Sequence, residues 1–236
     1  MQHLISKKRG VLSRFLRRGI SYAVSAAVIG VILITLLLAL SRIFNPYLTP
    51  YILAERITYG PIQRDWVPLD DISDTVIYAV IGAEDAQFCT HRGIDWGALQ
   101  NAIADGGRYG GSSISQQTVK NVLLWHGRSY VRKALEVLIT PMADVIWGKA
   151  RMLEIYLNVA EFGTGVFGIE AAADHYFGTS SDKLTRTQSA QLIALLPNPK
   201  GRSVTQPSRR TRAYQRKTRL NAQIVEHGGM AACVRD

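Results

Sequence analysis

Cysteine is nearly missing from this sequence: Cys89 and Cys233 are the only two in 236 residues, and no His or Cys cluster accompanies either one. A zinc site is excluded on that ground. The pair leaves two readings open, a disulfide tying the tail to the region around Cys89 or two separate thiols, because spacing along the chain does not measure distance in space. Acidic residues are missing from two stretches. Residues 1–18 carry Lys7, Lys8, Arg9, Arg14, Arg17 and Arg18 but no Asp or Glu, and residues 200–219 carry eight basic residues without an acid. Residues 19–41 hold no charge of either sign. Internal repeats, low-complexity tracts and alternating strands of useful length are lacking too, which excludes a repeat architecture and leaves a mainly α chain.

The uncharged stretch 19–41 lies between Arg18 and Arg42. At helical rise it spans the hydrocarbon core of about 30 Å, whereas the apolar part of a cleaved signal peptide runs to about 7 to 15 residues. One N-terminal transmembrane helix is therefore expected. The basic segment 1–18 holds the N-terminus in the cytoplasm by the positive-inside bias. The remainder then stands outside the inner (cytoplasmic) membrane, in the periplasm, where thiols are oxidised. Six of the positive charges behind the net +10 sit in that flank, which leaves +4 for the rest. The basic stretch near the C-terminus accordingly reads as a solvated helix face or a contact with anionic headgroups, and nucleic acid is no expected partner.

With 47% hydrophobic residues, the chain supports one packed domain besides the anchor. Pro46, Pro50, Pro61 and Pro68 break any long helix in 42–75, so this segment reads as a membrane-proximal linker with a short extended piece around 64–69. From residue 76 to the end, helical spacing takes over. Ile77, Val80, Ile81 and Phe88 share one stripe, Val131, Leu135, Leu138, Ile139 and Met142 a second, and Met152, Leu153, Tyr156, Leu157 and Ala160 a third. Thr185 and Gln188 fit a capping box for a helix that stops before Pro197. A last, basic helix covers 208–227 and ends at Gly228 and Gly229.

Three blocks carry chemistry: EDAQFCTHRGID at 84–95, GGSSISQQTVKN at 110–121 and RKALE at 132–136. Glu84 falls on the apolar stripe, where partial desolvation favours its neutral form and raises its affinity for a proton, so it suits a general base. The bland reading is a rim glutamate paired with a cation. Asp85 could support Glu84 or face solvent; Phe88 reads as packing and His91 as a hydrogen-bonding strut. The second block leads glycines into a helix capped by Ser112 or Ser113, whose free N–H groups and positive dipole end suit a phosphate. Gln116 and Lys120 share a face with Gln117 beside them, although Ser113 and Gln116 alone would make a capping box. Arg128, Arg132 and Lys133 add cations. Arg132 and Glu136 stand one turn apart, and an exposed pair contributes only about 0.3 to 0.5 kcal/mol, so stability is a weak reason for them.

In this order the blocks resemble those of the peptidoglycan glycosyltransferases (family 51), which read ED-x-x-F-x-x-H-x-G, G-G-S-T-x-x-Q-Q-x-x-K-N and R-K-x-x-E. RMLEIYLNVAEFG at 151–163 and GVFGIEAAADHYFG at 165–178 agree as well, and the likeness runs over about 76–199. The one departure quoted, Ser113 in place of Thr, keeps the hydroxyl. A chain ending at Asp236 leaves no room for a transpeptidase domain, so the monofunctional form is expected.

The resemblance implies a lysozyme-like domain with a cleft, over 76–236, that polymerises lipid II into β-1,4-linked glycan and releases undecaprenyl pyrophosphate. It implies Glu84 and Glu136 as catalytic carboxylates, and Ser112, Gln116, Gln117, Lys120 and Arg128 as substrate contacts. Asp85, Phe88, His91, Arg132 and Lys133 would support them, and Glu154 and Asn158 would hold the cleft's shape. The partners implied are lipid II, the growing lipid-linked glycan, the membrane and cell-wall synthesis or division proteins. No cofactor is required, and a divalent metal is at most auxiliary. The rival expectations are a lysozyme-like hydrolase, which leaves the cations without an anionic partner, and a non-catalytic scaffold.

Overall fold

The structure, a computed structural model, describes residues 2–104, 111–127 and 129–235. It separates into two units, 1–43 and 44–236. The first is helix α1 (Gln2–Ile43). Within it Arg17–Ile43 is 27 residues long, reaches a mean hydropathy of 2.8 and is almost entirely unburied by the protein. A helix of that length and composition is consistent with a single-pass membrane anchor.

In the second unit, α2 (Pro50–Tyr59) opens with Thr49 as N-cap and Pro50 at the first helical position, where a missing N–H costs nothing. This corrects the reading of 42–75 as a linker. Tyr51 and Ile52 are buried with Phe167 in a small core, and β1 (Gln63–Arg64) pairs in parallel with β3 (Val166–Phe167), itself antiparallel to β2 (Glu161–Gly163). Prolines limited helix length here without preventing packing. The strands are two or three residues long, too short for alternation to show in sequence.

The remaining elements are α3 (Asp74–Glu84), α4 (Trp96–Ala104), α5 (Ile114–Leu123), α6 (Tyr130–Val159), α7 (Ile169–Phe177), α8 (Arg186–Ile193) and α9 (Arg209–His227). The helix expected after Thr185 is α8, with the Thr185–Gln188 capping box formed. The last helix is α9, with Ser208 as N-cap and Gly229 adopting the positive φ beyond its end. α6 is two helices joined at Gly148, whose φ of 70° breaks the helical run. That conformation favours glycine, and it turns Lys149 back onto Asp144 at 2.7 Å.

The stripe Met152, Leu153, Tyr156, Leu157 and Ala160 is buried throughout. Each such large side chain contributes about 1.5 to 3 kcal/mol when removed from water. The stripe through Val131 and Leu138 is not: these residues are 67% and 69% exposed, while Glu136, Ile139, Thr140, Ala143 and Asp144 are buried. The inward face of this half of α6 is thus mixed: Ile139 of the expected stripe is buried, Leu135 and Met142 are half-buried, and Glu136, Thr140 and Asp144 share the interior with them. Phe88 is fully buried but lies past the end of α3, so the turn after that helix, not helical periodicity, carries it into the core.

α9 packs along α3, and α5 along the first half of α6. Gly82 permits the first of these contacts. A Cβ at that position would lie 2.8 Å from the backbone of Asn221, whose side chain donates to Gly82 O at 2.7 Å. Beyond α9, Cys233 is joined to Cys89 by a disulfide, and Arg235 reaches Asp74 at 2.9 Å and Asp70 at 3.0 Å. The C-terminal segment is thereby fastened beside the turn that follows α3.

Candidate active site

Glu84 is the last residue of α3, and Asp85 takes up the capping position with a φ of −164°. The chain therefore leaves the helix abruptly, and the two acids face different surroundings. Glu84 is half-buried. Gln117 Nε2 donates to its Oε2 at 3.0 Å and the Tyr214 hydroxyl reaches its Oε1 at 3.4 Å. Burial raises its pKa above the ordinary carboxylate value. Those two donors, and the charges of Arg202 and Lys120, oppose the rise in part.

Asp85 neither supports Glu84 directly nor faces solvent, the two readings left open by sequence. It is buried, accepts from Ile114 N at 2.9 Å at the start of α5, and has both its oxygens 3.0 Å from His91 Nε2. His91 is thus a strut. Phe88 packs edge-on against it and lies under Lys149. This group welds the turn after α3 to the beginning of α5, and so fixes Glu84 relative to Gln117.

On α5, Ser113 is the N-cap and shares a complete capping box with Gln116. Ser113 Oγ also donates to Gly93 O at 2.5 Å. Gln116, expected to contact substrate, is fully buried, and its Oε1 is taken by Ser113 N at 3.1 Å. Its work is in the cap, because the third helical position points its side chain back at the N-cap. Gln117 is the residue that faces the site, bonded to Glu84 on one side and accepting from the Tyr156 hydroxyl at 3.0 Å on the other. Two turns beyond the cap, Lys120 forms no ion pair with any described residue, and burial lowers its pKa.

α6 brings in the second carboxylate. Glu136 is buried and bonded by Arg132 Nη1 at 2.6 Å and Lys133 Nζ at 2.5 Å. Lys133 also donates to Ser112 Oγ at 2.7 Å, so Ser112 ties α6 to the start of α5. Arg128 lies outside the described residues. Glu154 accepts from Trp66 Nε1 at 3.3 Å, and Asn158 exchanges hydrogen bonds with the backbone of Val67 at 2.8 and 2.9 Å. Both residues pin the segment around 64–69 to the second half of α6.

A cavity of about 360 Å³ opens beside this group, lined by Gln117, Lys120 and Tyr156 together with Tyr51, Glu55, His126, Glu161 and Lys200. Its size lies within the range of about 300 to 1,000 Å³ usual for ligand sites. Sequence reasoning missed Tyr156, Tyr214 and the cavity residues Tyr51, Glu55, His126, Glu161 and Lys200. Tyr156 was visible only as a member of an apolar stripe. Tyr214 reaches Glu84 only because α9 folds back across α3.

An uncharged cradle around one acid, a second acid held by two cations, and a desolvated lysine at a cavity suit transfer at a sugar with an anionic leaving group. Comparison with known proteins agrees. The family model described as Transglycosylase matches residues 53–225. A biosynthetic peptidoglycan transglycosylase of Jannaschia sp. (strain CCS1) is 51% identical over 185 residues, 78% of this chain and 77% of that protein. Those of Caulobacter vibrioides and Rhodospirillum centenum are 44% and 39% identical, covering 83% and 96% of this chain and 87% and 98% of their own lengths. The chain belongs to the transglycosylase family. It is a monofunctional peptidoglycan glycosyltransferase of cell-wall biosynthesis with a lysozyme-like domain.

Proposed function

We propose that the enzyme joins lipid II to a growing lipid-linked glycan by an inverting displacement with Glu84 as the general base. The observation that carries this reading is the setting of Glu84, cradled by uncharged donors and beside a cavity lined by Lys120, which forms no ion pair with a described residue. The carboxylate takes the proton from the C4 hydroxyl of the incoming N-acetylglucosamine as that oxygen attacks the anomeric carbon of the glycan. The bond to the lipid diphosphate breaks, its electron pair leaves with the diphosphate, and an α linkage becomes β-1,4. Proton removal of this kind contributes about 10² to 10⁴-fold. Lys120 and Arg128 meet the charge growing on the leaving oxygen, and Glu136 holds Arg132 and Lys133 in place around it.

By the positive-inside bias, the basic flank 1–18 keeps the N-terminus in the cytoplasm and the catalytic unit in the periplasm. Both substrates are then confined to the membrane that anchors the enzyme. The exposed basic face of α9, which includes Arg212, Arg216 and Arg219, fits anionic headgroups. No cofactor enters this scheme, and a divalent metal is at most auxiliary. Labelled lipid II given to the purified full-length protein tests the reading. Polymer from the wild type and none from Glu84→Gln is the expected result, whereas fragments released from finished peptidoglycan without chain growth would defeat it.

A further inference from the structure

Between α8 and α9 the chain passes through a series of turns over 194–208, and Arg202 lies within it. The scheme above gives this residue no part. Its backbone N–H donates to Asn198 O at 3.0 Å and its Nη1 donates to Ala194 O, so both its backbone and its guanidinium are fixed. It forms no ion pair with any described residue. Its charge instead lies over the ring of Tyr214, 4.7 Å from the centroid, and the Tyr214 hydroxyl reaches Glu84 Oε1 at 3.4 Å. Arg202, Tyr214 and Glu84 thus make one line of contacts, drawn from the loop, from α9 and from α3.

A bland role for Arg202 is to stop a helix. A cation at a helix C-terminus meets the negative end of the dipole and satisfies a carbonyl left over by the last turn, and Ala194 is the C-cap of α8. A lysine or a neutral donor would serve that purpose, and neither needs a ring beside it. The stack on Tyr214 adds what a cap does not require. A cation over an aromatic face is attracted to the ring, which keeps the phenol in one position. Burial, followed by the charge of Glu84, raises the Tyr214 pKa, and Arg202 opposes that rise, so the hydroxyl is the better donor for its presence. Among the described residues the titratable groups acting on Glu84 are Lys120 from α5, Tyr156 from α6, Tyr214 from α9 and Arg202 from the loop. Burial raises the Glu84 pKa, and of the two cations Arg202 opposes it more than Lys120 does.

We infer that Arg202 is a positioning residue for the reaction: seated on the ring of Tyr214, it keeps the tyrosine hydroxyl on Glu84 and so holds the carboxylate in place as a proton acceptor. The inference rests on the proposed function in taking Glu84 as the general base. The test follows polymerisation of lipid II by the full-length protein across pH, with the Glu84 carboxylate titrated in parallel by infrared difference against Glu84→Gln.

Removing the cation raises the Glu84 pKa, and a base that works ionised then needs a higher pH. Arg202→Met should therefore move the acid limb of kcat, and the infrared titration with it, upward by as much as about one unit, a loss of up to about tenfold in rate below the limb. KM should change little. Arg202→Lys, which keeps the charge, should recover part of the displacement. In the Tyr214→Phe background Arg202→Met should move the limb clearly less, because the hydroxyl it acts through is gone. Partial loss of fold lowers the rate at every pH and leaves the limb where it was. That result, or an equal displacement in the two backgrounds, would overturn the inference. If Arg202→Met melts early because α8 loses its cap, Arg202→Gln, which keeps a donor for Ala194 O, decides. An infrared titration that moves while the limb stays would sink Glu84 as the base and uphold the grip of Arg202 on it.

Discussion

Around Glu84 each described hydrogen-bond partner is uncharged, the Gln117 amide and the Tyr214 hydroxyl, whereas around Glu136 both side-chain partners are cations, Arg132 and Lys133. The same side chain is thus set up for opposite work. A carboxylate with neutral neighbours and little water can accept a proton, since burial has already raised its pKa. One clasped by two cations serves as an anchor for them. Environment, not residue type, divides the labour between paired acids.

Replacing each acid by its amide should separate the two roles most sharply. Glu84→Gln is expected to lower kcat by at least about 10² to 10⁴-fold and to leave the protein folded. It should even stabilise it. The pKa of Glu84 is raised in the folded state, so the folded protein binds this proton more tightly than the unfolded chain. The ionised group therefore detracts from stability, by nothing below the unfolded pKa and by a growing amount as pH rises through the folded one. Thermal melts at neutral pH should place the amide above the wild type, with the gap closing in acid. An early melt for Glu84→Gln would mean that Glu84 is a structural acid like Glu136.

Glu136→Gln should do the reverse. Removing one member of a buried ion cluster strands its partners, at about 3 to 5 kcal/mol, and Arg132 and Lys133 would both lose their anchor. Urea unfolding is the direct measurement. A stable Glu136→Gln enzyme with no turnover would erase the distinction and make Glu136 a direct participant in the chemistry.

Much of this contrast could be read from sequence on one side only. The Glu84 block, the Thr185–Gln188 and Ser113–Gln116 capping boxes, and the Arg132–Glu136 spacing are local, and local patterns survive folding. What sequence could not show depends on distant segments meeting. Tyr214 stands 130 residues beyond Glu84, and it arrives only because Gly82 admits α9 against α3. The first half of α6 was read only in part, because Glu136, Thr140 and Asp144 share its inward face with Ile139 while Val131 and Leu138 of the apolar stripe are exposed. α2 was overlooked because its burial depends on Phe167 of β3 and on α5, segments far away in sequence.

The disulfide offers a smaller perturbation, confined to the Glu84 side. Cys89 follows the Glu84 turn and Cys233 follows α9, 144 residues away. Breaking a crosslink over a loop of this kind costs about 2 to 4 kcal/mol, chiefly by freeing the unfolded chain. A Cys89→Ser, Cys233→Ser double variant should unfold at lower urea than the oxidised wild type. Reductant should bring the wild type down to the same midpoint. Equal midpoints without reductant would show that the packing of α9 and the Arg235 contacts already suffice to hold the tail.

The smallest expected effect is at Tyr214, and it probes the cradle itself. Its hydroxyl donates to Glu84 Oε1 at 3.4 Å, a long contact that opposes the rise in the pKa of Glu84. Tyr214→Phe removes that opposition and keeps the ring under Arg202, whose guanidinium lies 4.7 Å from the ring centre. The pKa of Glu84 must then climb further. If Glu84 is the base, as proposed, it works ionised, and the acid limb of the kcat profile should move to higher pH, by less than about one unit, which corresponds to about 1.4 kcal/mol. Rates on the alkaline side of that limb should change little. A uniform drop at all pH values with no displacement of the limb would show that Tyr214 orients Glu84 without tuning it, and would leave Gln117 as the remaining hydrogen-bond donor in the cradle.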